Sequence, residues 1–218
     1  MSEFIHEQSQ YGEVELLIRL MVNHGPRQKI VVDVGANGVE RSNSYDFLRH
    51  FGWRGLLIEP NPALIEGIRS GFAGTAMDVV ECAVSDYDGV ASLHFGVNAD
   101  ISSLDREATA GWGEVSGSVE VKVRRLGAIL AEHRIPLDFD LLSLDIEGHD
   151  IRVLNDLIGN TRYRPQHVII EASYERTVDS FEKLEALGLS PVARHLYRFA
   201  GQTHANIILE RTVLAPAS

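Results

Sequence analysis

Four short apolar runs in this chain each lead into an acid. Lys29-Ile30-Val31-Val32 runs into Asp33, Gly55-Leu56-Leu57-Ile58 into Glu59, Leu141-Leu142-Ser143-Leu144 into Asp145, and His167-Val168-Ile169-Ile170 into Glu171. Each run has the length and apolar, β-branched character of a buried strand. In an open parallel sheet the carboxyl ends of the strands face the ligand crevice. Carboxylates gathered there can hold cations, accept hydrogen bonds from hydroxyls, or take protons from them.

The elements that must position these acids are legible around the first pair. Gly35 and Gly38 allow a sharp exit from the first strand, and Tyr45, Phe47, Leu48 and Phe51 recur at helical spacing before Gly52 stops the run. Strand, glycine turn, helix and strand make a βαβ crossover. A dinucleotide site wants G-x-G-x-x-G so that bare backbone can approach a pyrophosphate. Here Asn37 fills the second glycine's place and Asp33 stands just ahead of the turn. A carboxylate there repels phosphate and attracts a phosphate-free ligand carrying a sulfonium and an ammonium group, as S-adenosylmethionine does. Glu59 sits close to the usual spacing for an acid that binds ribose hydroxyls. The G-A-N-G turn alone says little; its combination with two strands, a helix and two acids says much more.

The run Asp33-Val34-Gly35-Ala36-Asn37-Gly38, then Ser42-Asn43-Ser44, Gly52-Trp53-Arg54-Gly55 and Ile58-Glu59-Pro60-Asn61-Pro62, resembles the signature of the FkbM-type methyltransferase family. The turn is one residue shorter than the usual family pattern. The likeness runs from about Gln10 to Arg211 and is specific here and around Leu144 to Gly148. It implies an α/β, Rossmann-like class I methyltransferase fold: a mostly parallel central sheet, helices on both faces, and an antiparallel last strand. It also implies S-adenosylmethionine as cofactor, held by Asp33, Gly35, Asn37, Gly38, Ser44, Glu59, Pro60 and Asp145. Ala83 and Val84, at the end of the third strand, would then meet the adenine, and Ser103 matches one of a serine pair near the cofactor. Many members of the family are similar to O-methyltransferases of sugars or natural products.

The second informative stretch is Leu144-Asp145-Ile146-Glu147-Gly148-His149-Asp150. It matches the family motif, which often has Glu where Asp150 stands. In a class I strand order the strands ending at Asp33, Asp145 and Glu171 are neighbours, so these three carboxylates would gather at one edge. Like charges that close raise a pKa or recruit a cation. Either suits methyl transfer to a hydroxyl, through a positioned base or a divalent ion such as Mg²⁺. Asp145 and Glu171 are candidates for base or metal ligand, His149 is an alternative base, and a helix-capping role is open to Glu147 or Asp150 and preferred for Asp150.

The remaining chain reads as a single domain over 1–218, with an N-terminal helical region in 1–28 and a lid or loop insertion over 96–118. Val14, Leu17, Ile18 and Met21 mark one face of the first helix, and Pro62 opens another through Ile68. Val79 to Val84 reads as the third strand, Val90 to Phe95 and Val119 to Val123 as alternating strands, and Leu126 to His133 as a helix. Trp112, between two glycines, is either a hinged aromatic lid or an anchor onto the body. Val178 to Leu187 is expected as helix, and Val192 to Leu196 and Asn206 to Glu210 as strands. His204 and Asn206 face either the acceptor or a plain hairpin turn, and His6 and His24 read as surface residues. Cys82 reads as a buried inert thiol.

Composition sets limits. The apolar fraction of 44% is ordinary for a globular chain, no apolar run approaches membrane-spanning length, and the acidic N-terminus is unlike a signal peptide. A cytoplasmic location follows as an expectation, with no membrane partner. The net charge of −11, without a basic stripe, argues against nucleic acid. The expected partner is a small acceptor with a hydroxyl, while the oligomeric state stays open. Two other functions remain: a non-catalytic cofactor-binding module acting through a protein partner, and an NAD-dependent oxidoreductase, which Asp33 and Asn37 disfavour.

Overall fold

The computed structural model describes residues 7–22, 25–97, 102–111, 113–171 and 180–212. The chain opens with α1 (Glu13–Met21), β1 (Ile30–Val34), α2 (Tyr45–His50), β2 (Arg54–Glu59), α3 (Pro62–Gly71) and β3 (Ala76–Glu81). There follow β4 (Ala83–Ser85), β5 (Gly89–Gly96), β6 (Ser102–Ser103), α4 (Arg106–Gly111) and β7 (Val115–Arg125). The second half holds α5 (Leu126–Glu132), β8 (Leu141–Leu144), α6 (Asp150–Asn160), β9 (His167–Glu171), α7 (Ser180–Ala186), α8 (Pro191–Leu196), β10 (Tyr197–Gln202) and β11 (Asn206–Arg211).

The main sheet has the order β10-β11-β9-β8-β1-β2-β3. β1 pairs in parallel with β2 and β8, β8 with β9, and β2 with β3, whereas β11 is antiparallel to both β9 and β10. All five residues of β1 are buried, as a central strand covered on both faces requires. Period-two alternation sends Ile30, Val32 and Val34 into one core with Leu130, Leu154 and Leu157. Val31 goes to the opposite core with Leu17, Phe47 and Ile68. Helices therefore cover both faces, as expected of a Rossmann-like α/β fold.

A second sheet, β4-β7-β5-β6, packs its own cluster of Ala83, Leu93, Val121 and Val123. It accounts for one correction. The expected third strand breaks at Cys82: β3 stays in the main sheet, and β4 leaves it to pair in parallel with β7. Continuous apolar character cannot reveal a change of sheet, because Val79 and Val80, half-buried in the edge strand β3, and the fully buried β4 both call for apolar residues.

A second correction concerns 192–196, which is helix α8 and not a strand. Pro191 opens it and the Ser190 hydroxyl accepts from the Ala193 N–H at 3.2 Å, so capping chemistry outweighs the β-branched Val192. Ile18 lies at the rim of the α1 face, 37% exposed, while Val14, Leu17 and Met21 are buried. Within 96–118, β6, α4 and the start of β7 supply regular structure, and Ser103 and Thr109 are buried. Trp112, His6, His24 and the expected helix start at Val178 lie outside the described residues. Among the described residues no helix is long and apolar enough to cross a membrane.

Candidate active site

A cleft opens at the carboxyl ends of β1, β2, β8 and β9. Gly35, Glu59, Asp145 and Glu171, from the four strand ends, all line it.

The turn after β1 is built by Gly35 and Asn37, both at positive φ (84° and 28°). Gly35 has no alternative: a Cβ there would lie 1.9 Å from the Asp145 carbonyl oxygen. Gly38 differs from expectation, since a Cβ there meets open space and its φ is ordinary. It lines the cleft without being needed for the turn. The Gly35 and Ala36 N–H groups both donate to the Ile58 carbonyl, at 2.9 and 3.2 Å, which draws the turn against the end of β2.

That closure sets Glu59. Its carboxylate accepts from the Asn37 N–H at 3.2 Å and the Asn61 N–H at 2.7 Å. Burial lifts its pKa to about 7 against those two bonds, with the charge of Asp33 adding to the rise. Beyond it Pro60, Leu64, Cys82, Ala83, Val84 and Leu93 give the wall an apolar stretch. Leu64 and Leu93 carried no signal in the sequence, because each reads as one more core position. Burial pushes the Cys82 thiol up to about 11, so it stays protonated, as an inert thiol should.

Asp33 lines the cleft but is itself buried and hydrogen-bonded to the Ser44 and Ser143 hydroxyls. Burial raises its pKa and the two hydroxyls oppose the rise. Ser44 stands behind Asp33, fully buried and 3.1 Å from the Ser42 hydroxyl, and does not reach the cleft wall. It positions the acid and offers no direct contact surface.

The far end of the cleft corrects the expected trio of carboxylates. Single oxygens of Asp145, Glu147 and Glu171 lie within 4.8 Å of one another; Asp33, held by its serines, is not in that group. Glu147 reaches it because the β8–α6 turn puts Glu147 and Gly148 at positive φ (52° and 98°). Asp150 fastens that turn, accepting from the Ile146 and Gly148 N–H groups at 3.3 Å each. Ser103 fastens it from the second sheet, donating to the Glu147 carbonyl at 2.8 Å. The capping role suits Asp150 and not Glu147, whose alternation with Asp145 in D-I-E was the available clue.

Burial first, then the neighbouring acids Asp150, Glu147 and Asp33, raise Asp145 well above the usual carboxylate range. Burial, Asp145 and Glu147 push Glu171 to about 9, so at neutral pH it keeps its proton. His149 also lines the cleft. Its Nδ1 lies 3.3 Å from the Ser85 hydroxyl, which donates to Asp86 at 3.2 Å. Ser85 thereby links the imidazole to the Asp86 carboxylate. Burial and Arg152 lower the His149 pKa below its ordinary 6.5, so the ring is neutral at pH 7.

His204 and Asn206 do not reach the cleft. The Asn206 amide and the Thr203 hydroxyl donate to the buried Glu13 carboxylate, the former at 3.0 Å, and the His204 ring meets Tyr11 edge-on at 5.0 Å. They tie the N-terminal segment to β11. Gln10 of that segment lines the cleft.

The profile of the Methyltransferase FkbM domain matches residues 33–199, which spans both turns just described. The chain belongs to the FkbM methyltransferase family. The solved FkbM methyltransferase of Methylobacillus flagellatus KT is similar in fold at 17% identity and a TM-score of 0.52. The match covers 94% of this chain and 49% of that one, so this chain spans about half its length. A TehB-like SAM-dependent methyltransferase from Corynebacterium glutamicum aligns at 13% identity and a TM-score of 0.43, over 93% and 88% of the two chains. No curated protein matches the chain. For an FkbM family member the main-sheet order and the antiparallel last strand are those the motifs led us to expect.

Proposed function

We propose that this chain moves a methyl group from S-adenosylmethionine to a hydroxyl oxygen on a small polar acceptor such as a sugar or secondary metabolite. The observation that carries the reading is the charge of the cleft. Asp33, Glu40, Glu59, Asp145, Glu147 and Glu171 stand on its wall, against one permanent cation, Arg41. Such a wall repels a pyrophosphate and favours a nucleoside with cationic groups.

The residues present fit that cofactor. Glu59, oriented by two backbone N–H groups, keeps lone pairs for the ribose hydroxyls. The apolar stretch around Ala83 and Val84 suits the adenine, and Asp33 favours the cationic portion. When bound, the cofactor supplies an electrophilic methyl carbon. The protein's own share is alignment, worth on the order of 7 to 11 kcal/mol, together with handling of the acceptor's proton. His149, on the cleft wall with its pKa lowered by burial, is equipped to take that proton. Glu171, protonated up to about pH 9, is a hydrogen-bond donor to the acceptor and not a base at neutral pH.

Asp145, Glu147 and Glu171 also make an all-oxygen donor set of the kind a hard divalent ion such as Mg²⁺ takes, which would acidify a nearby hydroxyl. The test is a screen of hydroxylated metabolites for S-adenosylhomocysteine release, run with and without EDTA, beside calorimetry with NAD. Release with at least one hydroxyl acceptor is expected. Tighter binding of NAD than of S-adenosylmethionine, or release with amine acceptors alone, would overturn the reading.

A further inference from the structure

The cofactor proposed above carries three charges, and the acidic wall suits only two of them. Its sulfonium and ammonium are drawn to carboxylates, whereas its own carboxylate is repelled by every ionised acid of the cleft. Among the described residues lining the cleft, Arg41 is the only arginine or lysine.

The placement of Arg41 agrees with the direction in which that carboxylate must lie. Ribose at Glu59 and adenine at Ala83 and Val84 occupy the β2–β3 side of the cleft, so the amino-acid end points the other way. Arg41 forms an isolated backbone bridge with Ser9, beside Gln10. The same N-terminal segment is anchored through Glu13 to Asn206 of β11, on the opposite side of the sheet from β2 and β3. Ser42, the next residue, accepts from the Ser44 and Tyr45 N–H groups at 3.1 and 3.0 Å, which fixes the course of the chain at this point.

The backbone supplies an independent indication. Arg41 is held at φ 64°, a conformation glycine adopts freely and an L side chain rarely does. Residues held in such conformations cluster at ligand sites, where the surrounding structure fixes them.

We propose that Arg41 is the residue that receives the amino-acid carboxylate of the S-adenosyl cofactor, making the cleft selective for nucleosides that keep that group. The inference rests on the cofactor reading, and the test separates the two. Calorimetry compares S-adenosylhomocysteine with 5′-methylthioadenosine, two nucleosides with an uncharged thioether sulfur, of which only the first keeps the amino-acid portion and its carboxylate. Arg41→Gly removes the guanidinium while relieving the backbone, so its melting temperature should equal or exceed that of the wild type. It should weaken S-adenosylhomocysteine about tenfold at low salt, as loss of a charge-assisted bond at a solvent-open rim does. Binding of 5′-methylthioadenosine should change less than about twofold, and Arg41→Lys should retain most of the S-adenosylhomocysteine affinity by keeping the charge. Equal loss for both ligands, or loss for neither, overturns the assignment of Arg41 and leaves the cofactor reading intact. A wild-type protein that binds neither nucleoside brings down the cofactor reading and this inference together.

Discussion

Replacing Gly35 by alanine puts a methyl group where the Asp145 carbonyl oxygen already is. The new Cβ would stand 1.9 Å from that oxygen and 2.9 Å from its carbon, so the β1 turn and the end of β8 must part by about 1.5 Å to reach ordinary contact at 3.4 Å. Parting them stretches the hydrogen bond from the Asp145 N–H to the Val34 carbonyl, now 3.0 Å. The left-handed conformation at φ 84° adds its own penalty for an L side chain. Roughly 1–2 kcal/mol for the backbone and 0.5–1.5 kcal/mol for the bond predict a loss of about 1.5–3.5 kcal/mol. For a chain of this size that lowers the melting temperature by about 3–14 °C. Asp145 moves with the strand end, and a displacement of about 1 Å at such a site costs turnover on the order of a hundredfold. Gly38→Ala is the matched control, with open space for its Cβ and an ordinary φ, and should melt within a degree or two of the wild type or slightly above it. Urea or thermal unfolding of the two variants in parallel, followed by turnover, decides the matter. Equal melting of Gly35→Ala and Gly38→Ala would refute the close approach of β1 and β8 on which the cleft is built.

Asp33→Asn combined with Glu59→Gln should weaken S-adenosylmethionine binding sharply by calorimetry, and unchanged affinity would remove the electrostatic basis of the cofactor assignment. Asp145→Asn with Glu171→Gln should collapse turnover while cofactor binding survives; retained cellular function in that variant would favour a non-catalytic module. Both Glu59 and Glu171 have folded pKa values raised above the ordinary 4.5, to about 7 and about 9. Their contribution to stability is complete below pH 4.5 and fades as pH rises through those values, so the melting temperature of the ligand-free protein should drift down between pH 5 and 9. A steady rise over that window would contradict the burial of these acids. With His149 as the base, kcat should climb with pH through a value below 6.5 and then level off, and His149→Ala should abolish that limb. A climb centred near pH 9 would instead assign the proton to Glu171.

Much of this architecture was legible because the central strands have no exposed face to disguise them. Ile30 to Val34, Arg54 to Glu59 and His167 to Glu171 are nearly continuous apolar runs, each closed by an acid or by the turn after it, and the structure places each as a strand of the main sheet. The failures were of a different kind. Cys82 interrupts a run that looks unbroken, because half-burial in β3 and full burial in β4 both take apolar residues. The 192–196 segment was misjudged from Val192 when Ser190 and Pro191 held the stronger local information. Glu147 was not singled out for the site, since it and Asp150 are both acids at the start of a helix and only the positive φ at Glu147 and Gly148 separates them. Arg41 passed unremarked because a lone arginine in a polar loop carries no periodic signal.

The order of strands, glycine turn and acids along the chain was enough to establish the parallel α/β framework and the edge at which chemistry occurs. Periodicity and turn chemistry are local properties, and the chain states them directly. Which carboxylates meet, and which of them hold a proton, was decided only by the tertiary structure. Asp33 left the expected trio because Ser44 and Ser143 claimed it, Glu147 entered through the turn after β8, and burial among like charges left Glu171 protonated. Those outcomes depend on distances and desolvation across elements far apart in sequence, and such quantities exist only once the chain has packed.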